Sequence, residues 1–334
     1  MHSIQRRALY NLLRMNWLND PNLPVEKWQV EDYRALPLPV LLDRLTAFDI
    51  HFDRISYVAY ADTCDSPEEL TERLLADRPP EAAYGDQAYL LLFELWRRLV
   101  SEKPSISVLC DELDHQIFLY SREEERNLLV LQDTLAQFIQ LLDENVDQGI
   151  QPEEAFELIT HYFANELEVF LYDFTADQMD EGNESYAHEL LEDFHPYLGG
   201  NKWFKLLCVR GWETIQGKRP EKIIGEILEE CLNGHDLNYH LELLSVAAEK
   251  EDRATFLLVM RDVLPLIVCE EDLQDLFALA IDYFHRQDRD QEEIILKRIL
   301  EKRGSRPLDR PVEATDPDLE ALSSLFESKG ANAS

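Results

Sequence analysis

Residues 121–147 read SREEERNLLVLQDTLAQFIQLLDENVD, and their spacing decides the fold class. Leu128, Leu131, Leu135, Phe138, Leu142 and Val146 recur at three- and four-residue steps, while Asp133, Gln137, Gln140, Glu144 and Asp147 share the opposite stripe. That is the period of an amphipathic helix, one face for a core and one for water. Ser121 and Glu124 have the spacing of a capping box, so the helix is expected to begin there. At 1.5 Å per residue it would span about 39 Å.

The same period continues in both directions. Helices are expected over 3–18, 39–48, 66–76, 86–99 and 105–120, the third opened by Ser66-Pro67-Glu68-Glu69 and the fourth by Asp86. Another starts at Pro152 and carries one stripe, Phe156, Ile159, Phe163, Leu167, Phe170 and Phe174; a loop over 175–183 and a short helix with Ala187, Leu190, Leu191 and Phe194 inward follow. Further on, starts are expected near Pro220, Asp236, Asp252, Cys269 and Asp290. The segments LLSVAA (243–248) and LFALAI (276–281) are similar at an offset of 33, each leading to an Asp-Arg pair, the mark of a helical-hairpin repeat. Period-2 alternation is almost absent, so no sheet is expected. The expected fold is all-α: stacked helical hairpins, α-solenoid-like, with a closed helical bundle as the alternative. Expected domains are 1–200, 201–303 and a linker with a short tail helix over 304–334.

Charge is the second organising feature. The chain of 334 residues has a net charge of −35, and residues 127–201 contain seventeen Asp or Glu and no Lys or Arg, leaving −18 for the rest. Such a surplus repels nucleic acid and anionic membranes and speeds encounter with basic partners. Immediately after it the sign reverses: Lys202, Lys205, Arg210, Lys218, Arg219 and Lys222 face only Glu213 and Glu221. With Trp203, Phe204 and Trp212 this segment has the make-up of a single-strand stacking stripe, which the acids beside it oppose. It is expected to dock against the acidic block, within the chain or between copies as a homo-oligomer.

Five scattered cysteines, Cys64, Cys110, Cys208, Cys231 and Cys269, form no C-x-x-C pair and read as thiols of a reducing, cytoplasmic compartment. No apolar run is long enough to span a membrane. The acid-free first nineteen residues share the pattern of a transit peptide, but Leu9, Leu12, Leu13 and Trp17 equally suit a docking helix.

Catalytic signatures are missing. Gly211 and Gly217 are one residue too far apart for a phosphate loop, and Arg219 stands where Ser or Thr must reach magnesium; there is no G-x-G-x-x-G and no G-x-S-x-G. Counted from Asp177, an EF-hand puts Gly182 at its sixth position but Met179 and His188 where oxygen ligands belong. Glu184, His188, Glu192 and His195, spaced four, four and three, lie on one helix flank as a candidate divalent-metal set, and Glu112-x-x-His115 repeats the Glu192-x-x-His195 element of carboxylate-bridged di-metal bundles. Acids are frequent enough here to produce such spacings by chance. In the tail, Leu319, Leu322, Leu325 and Phe326 match the anchors of a helix that docks in an apolar groove.

The expected function is a non-enzymatic adaptor or scaffold with no cofactor, presenting an acidic surface to a basic protein or peptide. Its partner-binding residues are Asp173, Asp177, Asp180, Glu181 and Glu184, with the tail anchors. The alternatives are a metal-dependent helical enzyme using the His/Glu flank and a self-assembling structural protein.

Overall fold

Helical periodicity becomes helix along nearly the whole chain. The computed structural model describes residues 4–76, 82–103, 105–122, 127–216 and 221–327, with backbone alone at 212–216, 221 and 222. It is 76% helical, with eighteen α-helices and no strand among the described residues. The first ten are α1 (Arg6–Asn19), α2 (Lys27–Val30), α3 (Leu38–Thr46), α4 (Arg54–Ala61), α5 (Pro67–Leu75), α6 (Ala82–Leu99), α7 (Ile106–Ser121), α8 (Leu128–Asp147), α9 (Pro152–Thr160) and α10 (Leu167–Asp180). Then come α11 (Glu184–Leu198), α12 (Lys202–Gln216), α13 (Glu221–Gly234), α14 (Leu237–Glu249), α15 (Arg253–Val263), α16 (Glu270–Arg286), α17 (Asp290–Arg303) and α18 (Pro317–Glu327). No described helix is long and apolar enough to cross a membrane.

Starts and stops follow local chemistry. Ser66 Oγ accepts the Glu69 N–H at 3.1 Å, and the carboxylates of Asp236 and Asp252 accept from Tyr239 and Thr255 N–H at 3.3 and 3.2 Å; each satisfies an orphan donor of a helix N-terminus. At five helix ends, the N–H of Ile50, Ile150, Asn183, Asp252 and Arg289 bonds the carbonyl five residues back. The residue before each of those donors has positive φ: Asp49, Gly149, Gly182, Glu251 and Asp288. This is the Schellman turn.

The chain divides into two units, Met1–Asp173 and Phe174–Ser334. The first is built around α6. Every residue from Ala88 to Trp96 is buried, so this helix is enclosed on all sides, packed by α3, α4 and α5. Glu94 is buried within that ring, and its charge is met by Arg97 at 2.7 Å and Arg98 at 2.5 Å. Arg98 in turn donates to the carbonyls of Tyr33, Arg34 and Leu36.

In the second unit, contacts are local in sequence: α12 with α13, α14 with α15 and α16 with α17, then α12 with α14, α13 with α15 and α14 with α16. The sequence repeat has a physical basis. The N-caps Asp236 and Cys269 are 33 residues apart, whereas the turn residues Glu251 and Asp288 are 37 apart, because α16 has 17 residues and α14 has 13. One extra helical turn separates the two copies.

Several boundaries differ from the sequence expectation. Ser121 is the last residue of α7, and Asn127 caps α8, its Oδ1 accepting the Val130 N–H at 3.4 Å; the 20-residue α8 therefore spans about 30 Å, and Glu124 lies outside the described residues. Asp86 is inside α6, accepting the Tyr10 hydroxyl at 2.7 Å. The α4 helix, opened by the Asp53–Ser56 capping box, was not anticipated. The run from Pro152 is two helices, because Asp114 takes the N–H groups of Ala164 and Asn165 at 2.8 and 3.1 Å and holds that segment as a turn. The expected loop over 175–183 is helical through Asp180. The division falls at Asp173, inside α10; the sign change at Lys202 marks a joint within the second unit, where α11 ends and α12 begins.

Candidate functional site

The acidic residues singled out by sequence lie on the α10–α11 hairpin. Asp173, Asp177 and Asp180 are on α10, Glu181 is in the Gly182 turn, and Glu184 opens α11; all five are exposed. Of the seventeen acids in 127–201, sixteen are exposed and Asp193 is half-buried. The cause is periodicity: apolar residues claim the inward stripe of each helix and the acids take what remains.

Three of the basic residues, Lys202, Lys205 and Arg210, are paired inside the chain. Lys202 pairs with Asp236 and Lys205 with Glu230, each at 2.5 Å. Arg210 is clamped between Asp180 and Glu249, the latter at 3.0 Å. Only Arg210 of these three bonds an acid from the 127–201 block, so the expected dock is made within the chain at that one residue. Lys218 and Arg219 lie outside the described residues, as does the Lys222 side chain. Trp203 packs against the C-terminal core, edge-on to Tyr239 at 5.2 Å.

Where α10, α11, α12 and α14 meet there is a cleft lined by Met179, Glu184, Ala187, His188, Arg210, Gly211 and Glu249. Gly211 permits close packing here: a Cβ there would come within 2.6 Å of Leu191 Cδ1 and 3.0 Å of Met179 Cε. His188 Nε2 lies 3.2 Å from Glu192 Oε1. Its Nδ1 is buried, and no described residue hydrogen-bonds it. Glu184 pairs with no described residue.

The His/Glu flank does not assemble a metal site. Among the described residues no three of His, Cys, Asp or Glu are grouped to hold an ion. His188 and Glu192, one turn apart, pair with each other, and His195 sits in the last turn beside Pro196. Glu112 and His115 belong to the first unit, where both Glu112 oxygens are engaged, by Arg34 at 2.7 Å and Gln116 at 2.8 Å.

The tail anchors already have their groove. Leu319, Leu322 and Phe326 are buried in the core of the second unit, Leu325 packs against it, and Phe326 stacks on Phe284 at 4.8 Å. Docking is in cis. Residues 304–316 are not a loose tether either: the N–H groups of Glu270 and Glu271 donate to the carbonyls of Arg310 and Leu308, and Val312 N–H donates to Val268. The connection thus caps α16.

A second charged cleft, in the first unit, escaped the sequence reading. It is lined by Arg7, Asn11, Arg14, Arg34, Asp111, Asp114 and His115, among others. Buried Asp111 accepts from Arg7 Nε and Arg34 Nη2, both at 2.5 Å, and from Asn11 Nδ2 at 2.9 Å. Burial alone would raise its pKa, but the two guanidinium groups hold it well below the usual carboxylate range. A signal was present: Arg7, Asn11 and Arg14 are spaced four and three on the acid-free α1, and Asp111 and Asp114 are one turn apart on α7, the helix that α1 packs on. Asp111 is saturated by Arg7, Asn11 and Arg34 while Arg14 pairs with Asp32 at 2.8 Å, so the network braces the fold.

Asp114 differs from its neighbour. Burial pushes its pKa up to about 6, against the hydrogen bonds from Ala164 and Asn165. Because the folded value exceeds the unfolded one of 3.8, the folded state holds this proton more tightly. The contribution of Asp114 to stability is then fully present below about pH 4 and lost as pH rises through about 6. Carbon-13 NMR of the Asp114 carboxyl is expected to titrate with a midpoint near 6; a midpoint below about 4.5 would refute the burial account.

Comparison with protein-family models, with curated proteins and with solved structures gives no match. The functional reading rests on the geometry.

Proposed function

We propose that the protein is a non-enzymatic interaction module that offers the exposed carboxylates of the α10–α11 hairpin to a basic segment of a protein partner. What carries this reading is the concentration of exposed carboxylates on one hairpin. Asp173, Asp177, Asp180, Glu181 and Glu184 all lie at the surface, and Lys202 and Lys205, the first basic residues after them, pair with Asp236 and Glu230 instead. Exposed carboxylates keep their hydration, so they attract a cation at long range without a desolvation cost already incurred. The five free cysteines, four of them buried, fit a reducing cytoplasmic setting, and burial pushes the thiols of Cys208 and Cys231 up to about 12, leaving them unreactive.

A fluorescently labelled deca-arginine peptide provides the test. Its affinity is expected to fall steadily with added salt, and to fall by about tenfold or more in the quadruple variant Asp177→Asn/Asp180→Asn/Glu181→Gln/Glu184→Gln. Salt-independent binding, or an unchanged affinity in the variant, would remove the support for this function.

A further inference from the structure

The first turn of α14 carries a histidine with an acceptor at each ring nitrogen. Asp236 caps this helix, and its carbonyl takes an intrahelical bond from the His240 N–H at 3.0 Å. Helical side chains lean toward the N-terminus, so the ring folds back onto the same carbonyl, with Nδ1 2.6 Å from the oxygen. On its other side Nε2 lies 2.9 Å from Oδ2 of Asp262, in the last turn of α15. The ring is fully buried, whereas the Asp262 side chain is 33% exposed.

Hydrogen-bond chemistry sets the proton count. Carbonyl and carboxylate oxygens both accept, while a neutral imidazole has one donor nitrogen and one acceptor nitrogen. Either neutral tautomer would turn a lone pair onto an oxygen. The two bonds therefore need one proton more than a neutral ring and a carboxylate carry between them. Charge gives the same count: Lys202 pairs with Asp236 at 2.5 Å, and its hydrogen bond holds the Asp236 carboxyl below the usual carboxylate range. Lys202, Asp236, His240 and Asp262 then alternate in sign, and their formal charges cancel only with an imidazolium at 240. The neighbouring groups do not supply the missing charge. Burial pushes the Cys231 thiol on α13 up to about 12 and raises the Tyr239 phenol, so both stay neutral. Among the described residues no group of α16, which also packs on α14, pairs with any of the four.

We propose that His240 is a proton-dependent clasp between α14 and α15: doubly protonated, it bonds Asp262, and loss of one proton releases that bond. The buried ring has no water to turn to, so the partner that moves is Asp262, which reaches solvent. The folded state holds the extra proton, so the contribution of the clasp is present at low pH and is lost as pH rises. This device is independent of the acidic-surface reading.

Two measurements on the full chain test it between about pH 5 and 8, the range in which imidazoles change charge. Long-range proton–nitrogen NMR of the His240 ring is expected to show two N–H nitrogens at the acid end. Hydrogen exchange, corrected for its intrinsic pH dependence, is expected to show protection of the amides of 253–263 falling about tenfold or more toward the alkaline end, the effect of one lost charged hydrogen bond. Asp262→Asn separates a proton-dependent role from a merely structural one. Its side-chain amide can donate to a bare Nε2, so the bond no longer needs the extra proton, and protection of 253–263 is expected to vary by less than about threefold over the same range. The position is partly exposed, so this variant is expected to fold. A bare ring nitrogen at the acid end, a flat exchange profile in the unmodified chain, or an equal loss of protection in Asp262→Asn would each overturn the clasp.

Discussion

Replacing Asp111 with alanine is expected to destabilise the first unit by about 3–5 kcal/mol, the range for removing one partner of a buried ionic network. Asp111 lies between Arg7 and Arg34, whose side chains are themselves only 12% and 13% exposed. Without the carboxylate, two guanidinium groups remain in a poorly hydrated site and only one of them keeps a counter-charge. Arg34 retains Glu112, and Arg7 retains only the face of the Phe93 ring, 5.0 Å away. Urea denaturation followed by a probe in the first unit measures the effect; a loss under about 1 kcal/mol would mean that water reaches the site and replaces the carboxylate. The pH dependence has a fixed sign. Because the folded pKa of Asp111 is depressed below 3.8, its contribution is present above about pH 4 and is lost as pH falls further. Replacing Arg7, Asp111 and Arg34 together with apolar residues of similar volume is expected to cost less than the single change, since the charge that then loses its partner, Glu112, is partly exposed and keeps the hydrogen bond from Gln116.

The second large effect is expected at Arg303. Its side chain is 1% exposed and Glu270 is fully buried, and the two form a forked pair at 2.7 Å through both nitrogens, Nε and Nη2. The same guanidinium donates to Asp316 at 2.9 Å and Asp318 at 2.7 Å, at the start of α18. One residue thus joins α16, α17 and the tail helix. Arg303→Ala is expected to destabilise the second unit by about 3–5 kcal/mol, and Arg303→Lys to recover only part of that, because an ammonium cannot form the fork. Hydrogen exchange reports the mechanism: amides of 317–327 should lose protection first, since an isolated helix of 11 residues does not hold in water. Unchanged protection of α18 would show that Phe326, stacked on Phe284, is sufficient by itself.

Legibility in the sequence depended on whether the deciding interaction was local. The starts at Asp236, Asp252 and Cys269 were readable because a cap is satisfied within three residues. The break after Thr160 was not, because it is imposed by Asp114, some fifty residues earlier in the chain. For the same reason α10 continued past Phe174: apolar spacing weakens there, but buried Thr175 and Gln178 still lie on its inner face. The acidic hairpin was legible as composition, whereas the close approach of Gly211 to Leu191 and Met179 is a contact between separate helices.

The sequence by itself determined the all-α class, most helix starts and the exposure of the acid-only block. Each of these follows from hydrophobic period, caps or charge, which act within one or two turns. Tertiary structure alone decided that the tail docks in its own core and that Lys202, Lys205 and Arg210 are neutralised internally. It also decided that Asp111 and Arg303 are buried hubs. Those outcomes depend on which side chains from distant segments arrive at the same place, and on whether the charges they bring there cancel.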